Sequence, residues 1–320
     1  MKISKNILLL PNTFIDVYKL LIESGRTDKN ALSTIDVTGI KRVTKVNEIL
    51  FTEFIFQGLL SITSSDSDFF TGVDSVIVVA QSYDQRVPSV SSRIQSKLGL
   101  LNETFCIDIM DGCSGYIKAL SITDMLFSRG YKKTLIVAGD LNSTMTAESE
   151  IGARILFGDG ISMSIIENDN QNLKPLLLND GDHKNTISCP IKNPQLIMNG
   201  FEVFRFTKNK VPKLINNYLN DIDKSINDFD LVALHQASDL VVRTICKNIN
   251  YTNQLCDDFS CGDFGNIGAG SIGAWLSSLE NKEGGKDLEM LAVGFGSGLS
   301  WGLASVVVNL KVNKVIYVEC

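Results

Sequence analysis

The chain has 320 residues, 44% hydrophobic and 21% charged, with a formal net charge of −6. That balance excludes extensive disorder, and the acidic excess argues against wrapping nucleic acid. The length suits two fused domains of ~100–200 residues each, and the longest apolar runs, 75–80 and 304–308, fall far short of the ~18–20 residues that span a bilayer.

The opening MKISKNILLLPNTF carries too short an apolar stretch for a secretory leader, so a cytoplasmic location is expected. Seven cysteines, an odd number in a large chain, argue against a disulfide framework and for a reducing compartment. Only two histidines, His183 and His235, leave little room for a histidine-rich metal site, and none is expected.

Strand-like and helical segments alternate along the chain. Residues 73–80 form a β-branched run too short for a helix, which reads as a buried strand. A helix is predicted over 89–98, a strand over 105–110, and a long, mostly buried helix from Gly115 to a stop at Gly130. The next strand covers 133–139. Strand, helix, strand in this order implies parallel pairing with helices packed on the sheet. Residues 168–196 are polar and read as a crossover with loops, and 280–286 as a solvated turn.

The second half replays the first. DLVALH at 230 resembles DSVIVV at 74, an offset of 230 − 74 = 156. GNIG at 265 resembles GCSG at 112 (265 − 112 = 153), and LAVG at 291 resembles LIVA at 135 (291 − 135 = 156). Three near-constant offsets in order point to an internal duplication, with halves at 1–167 and 168–320.

Few residues are placed for chemistry. Cys113, in DGCSGY, follows a strand and opens the long helix, where the helix dipole lowers a thiol pKa. It reads either as a thioester-forming nucleophile or as a structural cysteine in a tight turn. Cys106 reads as strand core, Cys189 as loop and Cys320 as terminus, while Cys246, Cys256 and Cys261 lack metal-ligand spacing. His235 ends a buried strand in ALHQAS, where α/β proteins place ligands, or is a satisfied core histidine. His183 falls in a solvated loop. Asn266, in DFGNIGAGS, suits a turn or cap as well as a site. The loop GFGSGLSWG at 294–302 could present backbone N–H groups to an oxyanion, but lacks the context of a dinucleotide fingerprint.

Together, DGCSG, LHQAS, FGNIG and FGSGLSWG resemble the thiolase superfamily, and within it the β-ketoacyl-ACP synthase III type. TGIKR at 38–42, FGDG at 157–160 and GFEVF at 200–204 extend the resemblance over nearly the whole chain. It implies a thiolase-like fold of two duplicated α/β halves with mixed sheets and buried central helices, layered α-β-α-β-α. It implies an acyltransferase without a cofactor, taking acyl-CoA or acyl-carrier-protein thioesters. Cys113 would carry the acyl group, His235 and Asn266 would stabilise the enolate from a malonyl thioester, and the N–H groups of Cys113 and Ser297 would form the oxyanion hole. Val87, Phe157, Leu196 and Met198 fall where the family lines its acyl pocket, Val87 reaching into a partner copy of a homodimer. Arg205 and Lys247 fall at the carrier-protein mouth. The family's adenine-clamp positions are Ser33, Val37 and Ile151 here, and a basic position after HQA is Leu240, which implies a specialised pathway. The alternatives are a same-fold acyltransferase acting on an alcohol or amine, and a non-catalytic partner subunit.

Overall fold

A computed structural model describes residues 1–169, 175–183, 185–192, 195–251, 259–279 and 286–320. Its elements in order are β1 (Lys2–Pro11), β2 (Phe14–Asp16), α1 (Val17–Glu23), α2 (Asp28–Thr38), β3 (Arg42–Thr44), α3 (Phe51–Ser65), β4 (Ser75–Ala80), α4 (Val90–Lys97), β5 (Phe105–Met110), α5 (Gly115–Ser128), β6 (Lys133–Leu141), α6 (Ile151–Arg154) and β7 (Asp159–Glu167). There follow β8 (Leu176–Asn179), β9 (Ile187–Ser188), β10 (Ile197–Met198), α7 (Gly200–Asp221), β11 (Leu231–Leu234), α8 (Asp239–Asn248), α9 (Ser271–Ser278), β12 (Leu288–Gly296) and β13 (Ser300–Val318).

Among the described residues, one mixed sheet runs β11-β12-β13-β1-β7-β6-β4-β5, with β8 added to β13. Its two ends repeat each other. In the first, β1 pairs antiparallel with β7, β7 antiparallel with β6, and β6 parallel with β4. In the second, β8 pairs antiparallel with β13, β13 antiparallel with β12, and β12 parallel with β11. This repetition supports the two halves, 1–167 and 168–320, that we propose as the units of the duplication. The 19 residues of β13 join them, pairing with β12 over its first half and, in parallel, with β1 over its second.

Three apolar clusters stack through this sheet. The outer cluster of the first half packs α3 and α4 on β4, β6 and β7 through Phe54, Ile94 and Val78. That of the second half packs α7 and α8 on β11 and β12 through Leu214, Ile245 and Val293. Between them, Tyr116 and Leu120 of α5 meet Ile272 and Trp275 of α9, with Ile77 and Ile136 on one side and Ala292 and Ala304 on the other. The result is the expected α-β-α-β-α layering. A helix hemmed in on all sides must be apolar nearly all round, and α5 buries eight of its 14 residues. Met125, in the same helix, points outward. Trp275 is 2% exposed at the centre of the middle layer, where truncation to alanine costs ~3–5 kcal/mol.

Two details differ from the sequence expectation. The polar crossover contains β8, whose Leu176–Leu178 run finds the free edge of β13, and a short β9–β10 pair. Cys106 is only half-buried, because β5 is the edge strand. The turn expected at 280–286 lies, up to residue 285, outside the described residues.

Candidate active site

The ends of the strands and the starts of the two central helices converge on one cavity of about 270 Å³, lined by Cys113, His235 and Asn266 together. Cys113 precedes α5, whose first-turn N–H groups begin at Ser114 and Gly115. It is pressed by β12: a Cβ on Gly296 would lie 2.6 Å from the Cys113 Cβ and 3.1 Å from its Sγ. Only glycine lets that strand pass so close. Burial pushes the Cys113 thiol up to about 12, with the nearby Asp140 and Asp111 adding to the rise. A hydrogen bond from Asn266 acts in the opposite direction and does not reverse it. This corrects the expectation of a lowered pKa: the helix terminus is outweighed by the loss of solvent and by two carboxylates.

His235 follows β11, where its N–H donates to the Val293 carbonyl at 2.8 Å. The ring is 1% exposed, and Phe295 meets it edge-on with centroids 5.2 Å apart. Burial lowers its pKa to about 3, so the imidazole is neutral at pH 7. Nδ1 lies 2.5 Å from the Ser271 hydroxyl at the start of α9. That hydroxyl already accepts from the Gln236 N–H at 3.4 Å. With the hydroxyl hydrogen directed at Nδ1, the ring proton sits on Nε2.

Asn266 is fixed just as firmly. Its N–H donates to the Leu156 carbonyl at 2.8 Å, and its carbonyl accepts from Gly158 at 3.1 Å. Its Oδ1 accepts from the Gly268 N–H at 2.9 Å, which turns Nδ2 toward His235 Nε2 at 3.5 Å. In the Nε2–H tautomer two N–H donors face the same point and cannot satisfy each other. An acceptor oxygen placed between them would be held from both sides, and more strongly as it gains negative charge.

Phe157, Leu196, Met198 and Ser297 also line the cavity. Val87 does not: it is 81% exposed on the surface of the chain. Arg205 is exposed and pairs with Glu202 at 2.5 Å, one residue from the cavity-lining Phe204. Lys247 is exposed in the last turn of α8. Of the clamp positions, Val37 stands at the mouth, half exposed, as does Leu240 at the position after HQA, whereas Ile151 packs against the α1–α2 cluster and Ser33 faces solvent on α2. His183 is exposed beside Asp180 at 3.7 Å. Cys106, Cys113, Cys189, Cys261 and Cys320 are free thiols. Cys246 is disulfide-bonded, so it departs from the reduced state expected of all seven, and Cys256 lies outside the described residues. No group of metal-ligating side chains occurs among the described residues, and no helix among them is long and apolar enough to cross a membrane.

Ser271 was not anticipated from the sequence, nor was Phe295 as a wall of the histidine. Both lie inside quoted motifs, but their contacts with His235 span dozens of residues and have no local signature.

Residues 107–179 match the family described as 3-oxoacyl-[acyl-carrier-protein (ACP)] synthase III, and residues 219–308 match its C-terminal region. A β-ketoacyl-[acyl-carrier-protein] synthase III of Lactococcus lactis is 30% identical over 259 residues, covering 74% of this chain and 78% of its own. That of Clostridium acetobutylicum is 29% identical over 250 residues, 72% of this chain and 75% of its own. A 3-oxoacyl-(acyl-carrier protein) synthase of Burkholderia xenovorans superposes with a TM-score of 0.87 at 22% identity, covering 99% of this chain and 97% of the other. The priming β-ketosynthase of the R1128 polyketide pathway superposes at 0.83 and 18% identity, covering 96% and 97%. With its layered fold and its cysteine, histidine and asparagine around one cavity, the chain belongs to the β-ketoacyl-[acyl-carrier-protein] synthase III family.

Proposed function

We propose that this chain is a condensing acyltransferase that loads an acyl group on Cys113 and extends it by decarboxylative Claisen condensation with a malonyl thioester. The observation that carries this reading is the pair of converging donors, His235 Nε2 and Asn266 Nδ2, beside the thiol. Simple acyl transfer has no use for a second anion-stabilising pair.

In the first step Sγ of Cys113 bonds to the donor's carbonyl carbon and the donor C–S bond breaks. The thiol proton leaves with the departing thiol, and the Cys113 and Ser297 N–H groups hold the tetrahedral oxyanion. A thiol with a pKa of about 12 gives up its proton as it attacks, not before. In the second step the malonyl C–C bond breaks and carbon dioxide leaves. The electron pair enters an enolate whose oxygen sits between Nε2–H and Nδ2–H. The enolate carbon then attacks the acyl carbonyl on Cys113, the C–Sγ bond breaks, and Sγ leaves as a thiolate that takes a proton from water.

Phe157, Leu196 and Met198 would hold the acyl chain. The donor is a carrier-protein or CoA thioester, and the aromatic and arginine side chains that would clamp an adenine are replaced by Ser33, Val37 and Ile151. Arg205 and Lys247 would meet an acidic carrier protein. A homodimer belongs to the same reading. Val87, Leu101 at 75% exposure and Met110, at the end of edge strand β5, leave apolar surface and an unpaired strand edge for a second copy.

The test is acylation with thioesters, location of the adduct by mass spectrometry, and addition of malonyl-carrier protein or malonyl-CoA. Carbon dioxide release with a product two carbons longer supports condensation. Cys113→Ala abolishes loading, whereas His235→Ala and Asn266→Ala keep loading and lose ~10²–10³-fold in decarboxylation. Acyl transfer to an alcohol or amine without decarboxylation replaces this reading with the simple transferase.

A further inference from the structure

The duplication places three positions of each half on the same cavity. The residue after β11 is His235 and the residue after β4 is Gln81, offset 235 − 81 = 154. The loops before α9 and α5 carry Asn266 and Cys113, offset 266 − 113 = 153. The residues after β12 and β6 are Ser297 and Asn142, offset 297 − 142 = 155. All six line the cavity. The proposed reaction uses four of them and leaves Gln81 and Asn142 without a task.

Neither amide is consumed by the fold. Asn142 is 3% exposed, and its Nδ2 donates to the Gly158 carbonyl at 2.7 Å and the Asn266 carbonyl at 3.3 Å. Those two bonds fix the amide plane, and no described protein group donates to its Oδ1. The Gln81 backbone is anchored, its N–H donating to Asp140 at 2.6 Å. Its side-chain amide has no hydrogen bond to any described group, and its Oε1 lies 2.8 Å from where a Cβ on Gly112 would sit, next to Cys113. Gln81 is exposed at the rim of the cavity and Asn142 is buried on its wall, so an entering ligand meets an amide that water alone now serves and an acceptor oxygen that no described group fills.

We propose that Gln81 and Asn142 select, for loading on Cys113, a short acyl group bearing a hydroxyl. The inference rests on the acyl-loading reading above. An acceptor such as the Asn142 Oδ1 needs a donor, which a hydroxyl supplies and a keto group or plain alkyl chain does not. No carboxylate lines the cavity among the described residues, so nothing there balances a protonated amine. A chamber built to hydrogen-bond a hydroxyl rejects the analogue lacking it much more strongly than it discriminates by one methylene.

The test is competition. The protein is offered equimolar butyryl-, 3-hydroxybutyryl-, 3-aminobutyryl- and acetoacetyl-pantetheine, and the adducts on Cys113 are counted by intact mass. The hydroxybutyryl adduct is expected to exceed the butyryl adduct at least tenfold. Gln81→Leu, which removes no internal hydrogen bond, and Asn142→Leu should each shift the ratio toward butyryl while total loading persists. Should Asn142→Leu fail to fold, Gln81→Leu decides alone. Preference for butyryl, acetoacetyl or aminobutyryl in the unmodified protein overturns the inference, as does an unchanged ratio in a folded Gln81→Leu variant. Loading at Cys113 with the wrong preference leaves the reading of Cys113 standing; no adduct from any of the four overturns both.

Discussion

The two halves have one strand order and two chemistries. In the first, the helix-opening loop presents a thiol; in the second, the equivalent loop presents the Asn266 amide, and the strand beside it a histidine where the first half has Gln81. The backbone frame is the same, and the difference lies in what anchors the side chains. The histidine and asparagine are each locked by hydrogen bonds, to Ser271 and to Gly268. The thiol has one weak polar partner and is held in place by packing against Gly296. A nucleophile must move when it bonds carbon, whereas a pair that stabilises charge works best when immobile.

This contrast can be broken from the nucleophile's side first. Gly296→Ala places a methyl group 2.6 Å from the Cys113 Cβ, and loading should fall by on the order of a hundredfold in a chain with unchanged circular dichroism. Gly152→Ala, which meets open space, serves as the control. Equal activity of the two variants would remove the argument that packing positions the thiol.

A smaller effect is expected from the locked side. Ser271→Ala frees Nδ1 to hold the proton, so decarboxylation should drop about tenfold while loading changes little. A uniform loss of both steps would mean that Ser271 merely supports the fold.

The smallest effect concerns the carboxylate beneath the first half's loops. Asp140 is buried, its Oδ1 accepting from the Gln81 and Ser82 N–H groups and the Ser82 hydroxyl, and burial raises its pKa to about 7. Asp159 is raised likewise to about 6. A folded-state pKa above the unfolded one gives stability that is complete below ~4 and lost as pH climbs through the folded value. His235, lowered to about 3, works in the opposite sense and costs stability as pH falls below ~6.5. Asp140→Asn keeps the acceptor oxygen and removes the titration. Its stability, measured by denaturant unfolding, should fall less than the parent's between pH 4 and 8, and parallel curves would refute the assignment.

The layered class was legible through the four short motifs that carry the family resemblance, and those same motifs named the three residues that the fold brings to one cavity. The sequence hid what depends on distance in the chain but not in space. Ser271 meets His235 across 36 residues. The rise of the Cys113 pKa comes from solvent exclusion and from Asp140, on a different strand, which the helix-dipole argument leaves out. β8 is four residues in a polar stretch and exists because β13 offers it an edge. Gln81 and Asn142 stand 154 and 155 residues before His235 and Ser297, close to the 153 that separates Cys113 from Asn266, but the exact match needs the strand ends that only the fold supplies.

The long last strand has a kinetic consequence. β13 is the partner of β1, so during synthesis β1 waits for a strand made much later, with Lys2 opposite Val307 and Pro11 opposite Val318. Until then the β1 edge lies open, and the middle layer lacks the wall that α9, β12 and β13 supply. Pairing across nearly the full chain length makes assembly slow and leaves an adhesive edge during synthesis. Cys113 comes from one side of that seam and His235 and Asn266 from the other, so the cavity is complete only once the seam has closed.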